Sequence, residues 1–182
     1  MLYCLLATGF EEIEATTTVD ILRRAGIDVQ TVAICSTGDS VTGGHGITLT
    51  CDIKRNQVSF EDIEGVILPG GMPGTLNLEQ SETVQGVIEF CKDNNKYICA
   101  ICAAPQILGH LGILKGKKAT CYPGFEGELI GAEIVNEPAV VDGKVITGKG
   151  PGATVDFAMA IVTEVKGAEV AAKLKDSMQC QK

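Results

Sequence analysis

The sequence predicts a doubly wound α/β domain: a mostly parallel sheet with helices on both faces. Apolar, β-rich runs alternate with runs of helical period along most of the chain, the pattern of βαβ units. The 182 residues are 45% hydrophobic, enough for one sizeable core. No internal repeat, low-complexity tract or linker divides them, so residues 1–182 are expected to form a single domain.

Residues 2–7 read as the first strand and 12–24 as the first helix, ended by Gly26. Residues 28–34 form a second strand, and 41–52, with alternation and the paired Gly43 and Gly44, a β-hairpin excursion. A short buried strand at 66–68 runs into the loop Pro69-Gly70-Gly71-Met72-Pro73-Gly74. A helix over 82–94 precedes a strand over 97–101, and 106–111 is helix-like. Residues 118–121, 139–142 and 144–147 are expected strands, and 153–166 and 168–178 helices separated by Gly167.

Charge and composition remove several function classes. A net charge of −8 argues against nucleic acid or an anionic membrane as partner. No apolar run approaches the ~20 residues that span a bilayer. Residues 2–7 lack a basic leader and meet Glu11, Glu12 and Glu14, so they read as a buried strand and not a signal peptide. The eight cysteines (4, 35, 51, 91, 99, 102, 121 and 180) lie largely in apolar runs, and a reducing cytoplasm is the expected setting. Cys99 and Cys102 make a C-x-x-C with no second ligand pair, so neither a metal nor a cofactor is expected. Cys99, inside the strand, should face away from the turn.

In Ala100-Ile101-Cys102-Ala103-Ala104-Pro105, the cysteine sits at a strand-to-helix turn. The strand's carboxyl end and the helix's positive end are both expected to favour the thiolate, with small flanks suiting a nucleophile elbow. Three strand ends then converge: acids at 11–14, the Gly70-Gly71 turn and Cys102. A thiolate attacks a carbonyl, backbone amides hold the oxyanion and a carboxyl group moves the proton. Glu11 and Glu12 read as first-turn acids complementing the helix dipole. Glu14 shares a stripe with Thr18, Ile21, Leu22 and Ala25, which would desolvate it and raise its pKa; a solvent-facing first-turn acid is the equal alternative. Gly148-Lys149-Gly150-Pro151-Gly152 matches no nucleotide motif and reads as a turn placing a basic side chain near the site. His110 lies about 12 Å along its helix from Cys102, too far to pair with it. His45 belongs to the hairpin and reaches the site only through the fold or a partner subunit.

These residues resemble the ThiJ/PfpI superfamily, in the branch of the parkinsonism-associated redox protein and its bacterial YajL-type relatives. The resemblance runs over nearly the whole chain, through Glu11-Glu12-Ile13-Glu14, residues 19–26, Leu68-Pro69-Gly70-Gly71, the Cys102 elbow and Gly150-Pro151-Gly152. It implies a flavodoxin-like fold and a homodimer, with Cys51 matching an interface cysteine. It implies that Cys102 is the reactive, oxidisable residue, Glu14 its protonated partner, and that amides at Gly71 and Ala103, beside Gly70, form an anion pocket. Tyr122, Lys149 and Pro151 are accessory candidates. Ala103 replaces the histidine of the protease-like branch, and Tyr122 that of the redox branch, where a phenol with an ordinary pKa of about 10 is a poor base. The implied activity is glyoxalase or deglycase chemistry on small reactive aldehydes or glycated substrates. The alternative is a redox sensor or stress-responsive chaperone using the same thiol.

Overall fold

A computed structural model describes residues 1–34 and 38–180; Cys35 lies outside the described residues. Its main sheet has seven strands. They are β1 (Leu2–Leu6), β2 (Val29–Ala33), β5 (Ile53–Lys54), β6 (Gly65–Leu68), β7 (Tyr97–Ile101), β10 (Ala139–Asp142) and β11 (Val145–Gly148), in the order β10-β11-β7-β6-β1-β2-β5. All neighbours pair in parallel except β10 with β11.

The central strand β1 is buried along its whole length, as a strand covered on both faces must be. Alternate residues feed opposite layers. Leu2, Cys4 and Leu6 pack with Ala15, Val19 and Leu22 of α1 (Glu12–Arg24) and with Phe157 and Ile161 of α5 (Thr154–Lys166). Tyr3 and Leu5 face Val84, Val87 and Ile88 of α3 (Glu82–Asp93) and Ile107 and Leu108 of α4 (Pro105–His110). α6 (Ala168–Ser177) packs against α5.

From β1 the chain passes outward to β2 and β5, then returns to β6 on β1's other side. The order reverses between β1 and β6, and open α/β sheets carry their ligand sites at such a point. Both loops there, 7–11 and 69–73, leave carboxyl ends of strands, and Cys102 follows β7 one strand further on.

The structure adds elements that short, weakly periodic segments concealed. α2 (Gly74–Glu79) follows the glycine loop directly, and Ile53–Lys54 adds an edge strand. The hairpin is β3 (Ser40–Thr42) against antiparallel β4 (Thr48–Thr50). The expected strand over 118–121 shortens to β8 (Lys118–Ala119), which pairs with β9 (Glu133–Ile134) apart from the main sheet.

Candidate active site around Cys102

Cys102 is the residue after β7, and its backbone is held at φ 66°. A left-handed conformation at a residue with a Cβ stores about 1–3 kcal/mol and persists only where its surroundings over-determine it. Two bonds do so: the Cys102 N–H donates to Gly148 O (2.9 Å), and the Tyr122 N–H donates to Cys102 O (2.9 Å). The elbow is thus clamped between the end of β11 and the loop carrying Tyr122, and the side chain is left 9% exposed.

Glu14 is 1% exposed, so the apolar stripe of α1 does bury it. One oxygen, Oε2, accepts the Gly70 N–H at 2.7 Å. Oε1 has no oxygen or nitrogen partner among the described residues, and the Cys102 side chain is the carboxyl group's hydrogen-bonding neighbour. Burial raises the Glu14 pKa to about 7, partly offset by the Gly70 N–H and the thiol.

Gly70 is required by space. A Cβ there would lie 2.6 Å from the Cys102 Cβ and 2.8 Å from Glu14 Oε2. Gly71 follows at φ 90°, and its N–H, with that of Ala103, is directed at the Cys102 sulfur.

The thiol itself departs from expectation. Burial, then the neighbouring Glu14 charge, pushes it up, while the Ala103 and Gly71 N–H groups pull it down. α4 has only six residues, so its dipole is small, and the strand-to-helix turn does not by itself yield a free thiolate. Sulfur and carboxyl instead form a coupled pair, and the thiolate is favoured when Glu14 carries the proton.

Glu12 also does more than complement the helix dipole. It is 5% exposed and accepts the His45 N–H (2.7 Å), the His45 ring Nδ1 (2.9 Å) and the Ile47 N–H (3.3 Å). Spacings of three, seven and ten to Ala15, Val19 and Leu22 carried the signal of this inward face. The fold brings His45 to Glu12 and to Glu11 (3.6 Å), fastening the hairpin over the first loop.

Lys149 donates through Nζ to Asn136 Oδ1 at 2.6 Å, so its ammonium group is already engaged. Tyr122, 45% exposed, and Pro151 line a cleft of about 290 Å³ with Pro123, Lys149 and Gly150. Cys99 is buried in the same core layer as Cys102, and both thiols are free.

Residues 2–164 match the DJ-1/PfpI family. The chain belongs to that family. The Parkinson disease protein 7 homolog of Danio rerio is 37% identical over 175 residues, covering 94% of this chain and 92% of that protein. A deglycase of Pyrococcus horikoshii is 32% identical over 150 residues, covering 81% and 88%. The crystal structure of Drosophila melanogaster DJ-1beta superimposes with a TM-score of 0.93 at 31% identity, covering 100% of this chain and 98% of that one. This DJ-1/PfpI chain spans only 39% and 43% of the Arabidopsis thaliana DJ-1 homologues B and A that it matches. The seven-stranded sheet and its helical layers are the flavodoxin-like arrangement of these structural relatives.

Proposed function

We propose that this DJ-1/PfpI protein is a cysteine-dependent enzyme of glyoxalase or deglycase type, acting on small reactive aldehydes such as methylglyoxal. The observation that carries this reading is the setting of the Cys102 sulfur, between the Glu14 carboxyl and the amides of Gly71 and Ala103. The relative named as a deglycase adds support.

In the reactive form Glu14 holds the proton and Cys102 is the thiolate. The sulfur adds to the aldehyde carbon, a C–S bond forms, and the oxyanion takes the Glu14 proton to give a hemithioacetal. Glu14, now a carboxylate, removes the hydrogen from that carbon while the hydroxyl proton passes to the adjacent carbonyl oxygen; Glu14 then returns its proton to the second carbon, which completes a lactate thioester. Water then breaks the C–S bond, releasing lactate and restoring the thiol. Methylglyoxal plus water equals lactate, so no oxidant or cofactor is consumed. Amides fixed beside the sulfur stabilise negative charge before and after addition without reorganising. An early adduct of an aldehyde with an amine enters at the hemithioacetal, with the amine leaving.

A second reading uses the same thiol as a redox sensor, or in a stress-responsive chaperone. The Toxoplasma gondii relative whose structure is described as oxidized favours it. After mild peroxide, intact mass should then gain two oxygens mapping to Cys102; oxidation spread over the cysteines would count against it. Both readings include a homodimer in the cytoplasm with Cys51 near the interface. Within the single chain Cys51 is buried, and that burial raises its thiol pKa to about 11, so only the partner's approach, not reactivity, is assigned to it.

A further inference from the structure

His110 closes α4, and both its ring nitrogens are engaged. Nδ1 meets the carboxylate of Glu79, at the end of α2, and Nε2 meets Glu128 Oε2 at 2.9 Å, in the 3₁₀ turn Glu126–Glu128. No other titratable side chain lies on α4, and these two acids are the charged groups that face the ring.

The three tied segments are not arbitrary. α2 follows the Gly70-Gly71 loop, α4 follows the Cys102 elbow, and the 3₁₀ turn follows the Tyr122 loop whose N–H holds Cys102 O. One imidazole therefore joins the far ends of all three segments framing the sulfur. The contact is tightly built. A Cβ on Gly109 would lie 2.1 Å from Glu128 O and 2.8 Å from Leu129 Cα, so α4 meets the 3₁₀ turn backbone to backbone. A neutral imidazole has one N–H and can donate to only one of the acids; only the cation donates to both.

We propose that His110 is an acid-favoured latch: protonated, it holds α2, α4 and the Glu126–Glu128 turn together around Cys102, and deprotonated, it releases one of them. Its bearing on reactivity rests on Cys102 being the working thiol, but the latch stands on its own geometry.

The sign follows from the linkage. Both carboxylates raise the His110 pKa above its ordinary value. The stabilisation is complete below about pH 6.5, the unfolded value, and is lost as pH rises through the higher folded value. The experiment compares wild type with His110→Gln and Glu128→Gln at pH 6 and pH 9. Melting temperature, ring titration by NMR and hydrogen exchange of the Tyr122 amide are read, and none requires turnover. Wild type should melt about 2–4 °C above His110→Gln at pH 6, the gap closing by pH 9. The Tyr122 amide should exchange at least fivefold faster in His110→Gln at pH 6 and within twofold of wild type at pH 9. Glu128→Gln should lower the His110 titration midpoint. An unchanged midpoint, a melting gap equal at both pH values, or equal Tyr122 exchange at pH 6 would each overturn the latch. Absence of aldehyde turnover in wild type would instead overturn the proposed activity and leave these readouts to decide the latch.

Discussion

At Cys102 one residue carries opposing demands. Its backbone is strained, its sulfur is nearly buried, and two amides favour its charge while burial and the Glu14 carboxylate oppose it. Glu14 sets the pH response. A carboxyl group whose folded pKa of about 7 exceeds its unfolded value binds its proton more tightly when folded, so stability falls as pH rises from about 4.3 through 7. Glu14→Gln removes that loss. Its melting temperature relative to wild type should rise between pH 5 and pH 8, a change worth at most about 3 kcal/mol; a gap that stays constant would contradict a protonated Glu14. Aldehyde turnover in the same variant should fall about 10²–10⁴-fold, read as kcat/KM. Gly70→Ala should misplace the sulfur, and slower iodoacetamide modification of Cys102 in the native protein would register it. The burial of Glu14 was one of two equal readings of the sequence, signalled by partners that recur at helical spacing on α1, and the structure decides for it. The upward push on the thiol was not, because it depends on loops remote in sequence closing over Cys102.

Among the elements, long apolar runs with clear period were readable: 12–24 as a helix and 97–101 as a strand coincide with α1 and β7. α2 escaped because six residues starting at a glycine show almost no period. The residues 118–121 carried a strand signal but no information on its partner, and β8 joins β9 outside the main sheet. The hairpin was recognised from Gly43 and Gly44, whereas its fastening by Glu12 was missed, since the partners lie over thirty residues away. Glu12→Ala leaves the His45 and Ile47 N–H groups without their acceptor and should destabilise the protein by about 2–4 kcal/mol. Chemical denaturation measures that loss, with faster exchange of both amides as the local signature. Stability within about 0.5 kcal/mol of wild type would show that the hairpin is held by other contacts.

For the molecule as a whole, the topology explains why residues so far apart meet. The strand order reverses between β1 and β6, which opens the crevice; α1 brings Glu14 to one side, the loop after β6 brings Gly70 and Gly71, and β7 delivers Cys102. Three pieces spread over more than eighty residues of chain form one site because parallel strands place their carboxyl ends on one edge. The fold class, and this convergence, were legible from the order of apolar runs alone; the side-chain ties that steady it were not. In solution the protein should sediment at twice the chain mass, and a purely monomeric boundary would remove the dimer from the reading. The most direct measurement is enzymatic formation of lactate from methylglyoxal, by purified wild type and Cys102→Ser in parallel. The account predicts lactate from wild type and a loss of at least about a thousandfold in kcat/KM on substitution of the nucleophile. Undiminished lactate formation by pure Cys102→Ser protein would contradict it.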